Sequence, residues 1–341
     1  MIIGSISEDK NLDKRVAITP DVIKKYKSLG LEIYLSKDYA THLGITDKEY
    51  EAEGARIFTS DEIILKSNAI LQVNILNDEN LKKLSKDQIL IGVLNPYKNE
   101  KKLKEITSKN INSFSLELLP RITRAQSMDI LSSQANLAGY KAVIDSFAYF
   151  QKAIPMMMTA AGTIPAAKVL VVGAGVAGLQ AIATAKRMGA IVFATDVRLA
   201  SKEQVESLGG KFLIVEGAEN LETEGGYAKE TSEDFKKKQE ELLKETLKKI
   251  DIVICTALIP GKKAPIIIKK DMIDLMPKGS IIYDLAASQG GNSEITKADE
   301  IIISDGVKIM GETNILNKLP VSASNLYAKN MFNFVNNLLN K

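Results

Sequence analysis

The feature that most constrains the fold is a glycine-rich turn that follows an apolar segment in the middle of the chain. Residues 168–172 are apolar after the first, and they run directly into Gly173, Gly175 and Gly178, after which the apolar spacing becomes helical. In such a strand–turn–helix, the first glycine allows the tight turn, the second lets the backbone approach a pyrophosphate, and the third lets the helix pack on the strand. The pattern therefore predicts a Rossmann domain that binds a dinucleotide; the alternative is a packing turn with no ligand.

An acidic residue follows at the distance that a dinucleotide fingerprint requires. A second apolar segment, residues 191–195, leads to Asp196, which lies 18 residues beyond Gly178. A carboxylate there reaches the adenosine ribose hydroxyls and repels a 2′-phosphate, so we expect NAD(H) rather than NADP(H). Arg198 favours a 2′-phosphate, and Asp196 is given more weight. The predicted contacts at this end of the ligand are Gly173, Gly175, Val176, Ala177, Gly178, Asp196, Val197 and Arg198.

The rest of the chain alternates short apolar segments with helical patterns. A length of 341 residues and 45% apolar residues suit two domains, each with its own core. Alternation of this kind predicts mostly parallel sheets covered by helices on both faces. We expect an α/β protein of two Rossmann-like domains, joined by long helices, with a cleft between them. The predicted strands cover residues 2–6, 32–35, 69–73, 89–94, 113–116, 168–172, 191–195, 251–255, 280–284 and 300–303.

Helical patterns set the predicted domain limits. Thr19 is a predicted N-cap with Pro20 at the first helical position, and residues 127–150, which hold one glycine and no proline, predict a long linking helix. Residues 1–126 and 318–341 are assigned to the first domain, to which the C-terminal helix returns. Residues 151–317 are assigned to the NAD(H)-binding domain, with a long polar loop over 219–230 and an amphipathic helix over 231–249.

Composition excludes several classes of protein. The net charge is +3 and lysines alternate with glutamates, which is typical of solvated helix faces and not of a nucleic-acid surface. One cysteine, Cys255, allows no disulfide framework and suits a reducing compartment, and one histidine with one cysteine predicts no metal site. The first ten residues lack a secretory pattern. Residues 153–185 carry only one charge, but their glycines and prolines favour strand–turn–helix over a membrane helix.

Five long motifs resemble one known family. They cover residues 121–140, 155–165, 224–230, 256–261 and 284–292, and they resemble the alpha subunit, or NAD(H)-binding component, of the proton-translocating NAD(P) transhydrogenases. The resemblance implies a homodimer on the cytoplasmic face of a membrane, held there by a membrane-spanning subunit. It implies direct hydride transfer from NADH to NADP⁺ on an NADP(H)-binding beta subunit, coupled to proton translocation through the membrane partner. The chain is similar to the split form, in which this component is a separate soluble subunit.

The resemblance also implies site residues. Arg121, Gln126, Asp129 and Ser132 correspond to a family pattern that lies over the nicotinamide, and Tyr227 corresponds to a mobile loop that closes over the nucleotide. Hydride transfer between nicotinamides requires positioning and water exclusion rather than a general acid or base. The structural alternative is a polar cluster at a helix start, with Ser127 or Asp129 as the cap and Arg121 with Asp129 as a structural pair. The remaining predicted cofactor contacts follow two strands: Thr256, Ala257, Leu258, Ala286, Gln289 and Asn292.

Two rival functions remain open from the sequence. Alanine dehydrogenases share the fold and the stretch from Arg15 to Pro20, but their chemistry needs a lysine and a histidine to move a proton. The comparable positions here hold Gln72 and Asn95, and the single histidine, His42, lies in a predicted loop. The other rival is a non-catalytic NAD(H)-binding module. Cys255 ends a buried strand and is interpreted as a core residue rather than a nucleophile.

Overall fold

The computed structural model describes residues 1–215, 233–259 and 261–339, and its chain forms two compact units. The first unit contains Met1–Gln134 and the chain from Leu316 onward. The second contains the described residues from Ala135 to Ile315. Both units are α/β, as the alternating pattern predicts.

A parallel sheet forms the centre of the first unit. Within the described residues its order is β3-β2-β1-β4-β5-β6, and every neighbouring pair is parallel. The sequence pattern missed β3, because three half-exposed residues at a sheet edge carry no periodicity. The strands are β1 (Ile2–Ser5), β2 (Glu32–Ser36), β3 (Arg56–Phe58), β4 (Ala69–Asn74), β5 (Ile89–Val93) and β6 (Asn112–Ser115).

Helices with local start signals cover this sheet. Thr46 and Thr59 each form a capping box with the glutamate three residues on, which satisfies backbone N–H groups at the helix start. The C-terminal helix contributes Tyr327 and Met331 to the core that contains Ile3 of β1. The helices of this unit are α1 (Pro20–Ser28), α2 (Asp47–Glu53), α3 (Ser60–Lys66), α4 (Asp78–Lys83), α5 (Glu100–Ser108) and α11 (Pro320–Leu339).

A long helix and a small hairpin come next in the chain. Helix α6 spans Ile130–Tyr149 and begins three residues later than predicted, because Thr123–Met128 forms a 3₁₀ helix. Strands β7 (Met157–Thr159) and β8 (Gly162–Ile164) form an antiparallel hairpin whose residues are all exposed. The motif in this segment gave no sign of a hairpin. Across the described ranges, no helix has both the length and the apolar character needed to cross a membrane.

The second unit has a doubly wound sheet. Its order in the described residues is β11-β10-β9-β12-β13-β15-β14, and only β14 is antiparallel. The strands are β9 (Lys168–Val172), β10 (Ile191–Thr195), β11 (Lys211–Phe212), β12 (Ile252–Cys255), β13 (Ile281–Asp284), β14 (Ile301–Ser304) and β15 (Val307–Gly311). The helices are α7 (Val176–Arg187), α8 (Ser201–Ser207), α9 (Glu233–Leu247) and α10 (Lys270–Ile273).

The strand order of this sheet reverses between β9 and β12. From β9 the chain winds outward to β10 and β11, and it then continues on the other side with β12 and β13. Cys255 pairs in register with Val172 on one side and with Asp284 on the other. The loops that follow these three strands therefore leave the sheet side by side at its carboxyl edge, where ligands bind in sheets of this kind.

Candidate functional site

The glycine turn after β9 has two glycines that the protein itself needs and one that leaves space. Gly173 has a φ of +93°, and a Cβ there would lie 2.8 Å from the Thr256 hydroxyl oxygen. A Cβ on Gly178 would lie 1.8 Å from the carbonyl oxygen of Gly173. Gly175 has an ordinary φ of −78°, and a Cβ there would meet no atom within 4 Å. The open space at Gly175 therefore fits a ligand that approaches the backbone closely.

Helix α7 starts at this open position. Gly175 is its N-cap, and Val176 and Ala177 in its first turn are half-buried and carry no charge. The N–H groups at a helix start have no partner within the helix, and the helix dipole adds partial positive charge there. Uncharged small residues, an open backbone and a helix N-terminus together fit a pyrophosphate group.

Asp196 follows β10 and holds the glycine turn. Its Oδ2 accepts a hydrogen bond of 2.7 Å from the Ala174 N–H. Both carboxylate oxygens also accept from Arg198, at 2.9 Å from Nε and 2.8 Å from Nη2. The Asp196 side chain is only 7% exposed. In the sequence, Asp196 favours NAD(H) and Arg198 favours a 2′-phosphate. In the structure their side chains form one ion pair with each other, and Val197 is the residue between them in the chain.

Thr256 connects the loop after β12 to the glycine turn. Its hydroxyl lies 2.9 Å from the Gly173 carbonyl oxygen and 3.1 Å from that of Val172, and it donates to them. Ala257, the residue after Thr256, is held by the side chain of Asn292, which is fully buried. Oδ1 of Asn292 accepts from the Ala257 N–H, and its Nδ2 donates to the Ala257 carbonyl. Asn292 therefore fixes the backbone of this loop. Leu258 is 43% exposed.

The loop after β13 closes against the loop after β12. Ala286 is fully buried, so its side chain faces the protein interior. With its amide oriented to satisfy both of its atoms, Gln289 donates to the carbonyls of Lys262 and Ile259. Its backbone carbonyl accepts from Ala264 N–H at 2.9 Å. Residues that the sequence marked as ligand contacts thus also tie the two loops together.

The segment predicted to lie over the nicotinamide is in the first unit. Arg121 and Gln126 are exposed. Asp129 accepts hydrogen bonds from the Ser132 N–H at 2.9 Å and from the Ser132 hydroxyl at 2.6 Å. This is the geometry of a helix cap at the start of α6, which is the structural alternative raised from the sequence. Tyr227 lies outside the described residues.

A buried polar cluster in the first unit was not found from the sequence. Burial raises the pKa of Glu8 to about 7, and its Oε1 accepts hydrogen bonds from the N–H groups of Val73 and Asn74. Gln72 donates to the same oxygen at 3.1 Å and accepts from the Ile6 N–H at 2.9 Å. No sequence pattern marks such a cluster, because its members come from separate strands and loops.

The other residues weighed against the alanine dehydrogenase reaction have structural partners. The Asn95 N–H donates to Glu117, and Asn95 itself has a φ of +47°. Nε2 of His42 lies 2.8 Å from the Lys14 carbonyl oxygen, which holds a loop. Cys255 is fully buried, and burial raises the pKa of its thiol well above the ordinary value.

The glycine turn, the acid after β10 and the strand reversal define the second unit as a dinucleotide-binding domain of the doubly wound class. Comparison with known proteins agrees with this class. The family model for the N-terminal domain of alanine dehydrogenase/PNT matches residues 4–138, and the model for the C-terminal domain matches residues 142–341. The chain belongs to the alanine dehydrogenase/PNT family.

The more similar relatives are transhydrogenases. The chain is 48% identical to a protein from Rhodospirillum rubrum that is named as the first portion of NAD(P) transhydrogenase subunit alpha, over 98% of this chain and 89% of that protein. It is 47% identical to the protein of the same name from Rickettsia prowazekii, with the same coverage. A crystal structure of transhydrogenase from Sinorhizobium meliloti superimposes with a TM-score of 0.89 at 43% identity, and the match covers 99% of this chain and 94% of that one.

Alanine dehydrogenases are more distant. The enzyme from Methanococcus maripaludis is 29% identical over 86% of this chain and 74% of that protein. A solved L-alanine dehydrogenase has a TM-score of 0.83 at 20% identity, covering 100% of this chain and 90% of that one, which shows a shared fold.

Proposed function

We propose that the chain is the NAD(H)-binding alpha subunit of an NAD(P) transhydrogenase. It holds NADH on its second unit, and hydride passes directly to NADP⁺ on an NADP(H)-binding beta subunit. The observation that carries the proposal is the open backbone of Gly175 at the start of α7, between two glycines that the packing requires. Relatives at 41–48% identity bear the name of a transhydrogenase alpha subunit, which supports this choice within the family.

The ligand is assigned along the carboxyl edge of the sheet. Gly175, Val176 and Ala177 face the pyrophosphate, while Asp196, Val197 and Arg198 face the adenosine ribose. The Asp196 carboxylate is already paired with Arg198, so the ribose shares that carboxylate with the guanidinium. The nicotinamide half extends across the switch point toward the loops of Thr256, Ala257 and Leu258 and of Ala286, Gln289 and Asn292.

Positioning is the chemical task of the chain. Bound NADH supplies the hydride from its nicotinamide. No proton moves at the reacting carbons, so the described buried carboxylates need not act as acid or base. Arg121 and Gln126 are assigned to orient the nicotinamide, and Asp129 with Ser132 fixes the start of the helix beside them. Closure of a loop by Tyr227 stays a prediction.

The proposed assembly is a homodimer on the cytoplasmic face of a membrane, bound to a membrane-spanning subunit through which hydride transfer is coupled to proton translocation. The name subunit alpha supports the existence of partners. The hairpin of β7 and β8 supports self-association, since Met158 on β7 and Met156 just before it are 79% and 61% exposed and residues 153–167 carry no charge. The exposed outer edges of the hairpin can pair with the hairpin of another molecule across a twofold axis. The partner that we assign to this hairpin is therefore a second copy of the chain.

Isotope transfer tests the proposal. The chain is mixed with a purified NADP(H)-binding subunit of a transhydrogenase, NADH deuterated at the reactive position, and NADP⁺. Mass spectrometry of the NADPH formed should find the deuterium, because direct transfer does not exchange with water. Tight NADH binding without any label transfer would favour the binding-module alternative. Oxidation of L-alanine with NAD⁺ at about 1 per second or faster would favour an alanine dehydrogenase.

A further inference from the structure

The carboxylate of Asp284 is fully buried at the end of β13. It lies in register with Cys255, so the loop that it begins leaves the sheet next to the loop that begins at Thr256. No sequence pattern marked Asp284 as a ligand contact. Its burial requires an explanation, because a carboxylate removed from water is costly unless donors surround it.

Within the part of the chain that the structure describes, the donors to this carboxylate come from one loop. Oδ1 accepts from Ala286 N–H at 2.9 Å. Oδ2 accepts from the N–H groups of Asn292 at 2.7 Å and Ser293 at 3.1 Å, and from the Thr296 hydroxyl at 2.7 Å. The hydrogen bonds to this carboxylate therefore hold residues 286–296 in one conformation.

Glycine at position 291 is part of the same arrangement. Gly291 has a φ of +84°, and a Cβ there would lie 2.9 Å from Oδ2 of Asp284 and 2.7 Å from Cβ of Thr296. A side chain at this position would strain the backbone and press on the carboxylate. The close approach of the loop to Asp284 thus depends on glycine.

Hydrogen bonds continue from this loop to the glycine turn. The backbone N–H of Asn292 donates to Asp284. The side chain of Asn292 in turn binds both the N–H and the carbonyl of Ala257. Thr256, the preceding residue, donates to the carbonyl of Gly173. Asp284 is therefore connected to the proposed pyrophosphate site through the loop after β13 and the loop after β12.

We propose that Asp284 is a positioning residue for the nicotinamide half of the bound dinucleotide. The inference rests on the proposed function. Asp196 marks the adenosine side of the switch point and Gly175 marks the pyrophosphate, so the remaining half of the ligand extends over β12 and β13. The loops there are the two that the Asp284 and Asn292 contacts hold in place.

The test compares Asp284→Asn with the same substitution at Asp251, whose carboxylate lies at the opposite edge of the sheet. The new amide has the same shape, but its NH₂ group faces N–H donors. We expect the dissociation constant of NADH, divided by that of ADP, to rise on the order of tenfold, because hydrogen bonds to a charged group are lost. Asp251→Asn is the control. Asp251 accepts from Lys168 N–H at 2.9 Å at the amino edge of the same sheet, so its loss should lower the melting temperature without changing this ratio.

Two further variants complete the test. Thr296→Val removes one of the four donors that the described residues supply, and it should raise the same ratio about threefold. This variant decides the question if Asp284→Asn does not fold. Asn292→Ala and Asp284→Asn should be non-additive, because they break one chain of contacts. If the wild type fails to bind NADH, the proposed function falls. If the wild type binds NADH and Asp284→Asn shifts NADH and ADP equally, as Asp251→Asn does, the positioning role of Asp284 is wrong.

Discussion

Two alanine substitutions three residues apart in the glycine turn should have opposite consequences. A Cβ at Gly178 would lie 1.8 Å from the Gly173 carbonyl oxygen, whereas a Cβ at Gly175 would meet nothing within 4 Å. Gly178→Ala therefore tests the packing of the turn, and Gly175→Ala tests the space assigned to the pyrophosphate. The two variants control for each other, since the chemical change is the same.

The magnitudes follow from these distances. In Gly178→Ala, helix and turn must separate by about 1 Å or more, which costs ~1–3 kcal/mol of unfolding free energy. In Gly175→Ala, a less favourable N-cap costs up to about 1 kcal/mol, and the lower entropy of the unfolded chain returns about 0.4–1 kcal/mol. The net change is close to zero. The new methyl group should nevertheless cost the ligand one charge-assisted hydrogen bond, about 2 kcal/mol, or roughly thirtyfold in NADH affinity.

Urea unfolding and titration calorimetry with NADH measure the two effects separately. Gly175→Ala should keep the wild-type unfolding midpoint and lose NADH affinity, while Gly178→Ala should lose stability. Wild-type NADH affinity in a well-folded Gly175→Ala would show that the pyrophosphate does not approach this backbone, and the site assignment would then be wrong.

Three more predictions concern other residues. Burial raises the pKa of Glu8 to about 7 from 4.5, so the unfolded chain releases this proton first and the folded state should lose stability as pH rises between these values. Glu8→Gln should remove that decline in urea unfolding from pH 5 to 8, and an unchanged slope would contradict the assignment. Asp196→Asn should weaken NADH binding and lower the ratio of the NADPH dissociation constant to the NADH dissociation constant, both measured by calorimetry. A wild-type protein that binds the two nucleotides equally would contradict the assignment of Asp196. Arg121→Ala and Gln126→Ala should slow single-turnover hydride transfer up to roughly 100-fold while NADH affinity changes little; wild-type rates at saturating NADH would make the segment structural.

The sequence predicted those features of the fold that depend on local pattern. The turn from Gly173 to Gly178 and the strand before it are confirmed, because glycine spacing and an apolar run are visible in a short window. The edge strand β3 and the hairpin of β7 and β8 were missed, since neither has alternating burial.

The candidate site was only partly predictable, because its contacts join residues far apart in the chain. The sequence could mark Asp196 but not show that Arg198 neutralises it, and it could mark Asn292 but not show that Ala257 occupies its amide. Asp284 begins the motif over residues 284–292, but nothing in the sequence marked its hydrogen bonds, since its donors converge only when the loop folds. Which residues contact the dinucleotide stays a prediction.

The position of Cys255 has a practical consequence for experiments in solution. It is the single cysteine of a chain that contains no tryptophan, it lies fully buried in the centre of a sheet, and burial raises the pKa of its thiol well above the ordinary value. Thiol reagents should therefore not react with Cys255 in the native protein, because only an accessible thiolate reacts quickly. A cysteine placed on an exposed loop, such as at Ser288, would carry a spectroscopic label at one site without prior removal of the natural thiol.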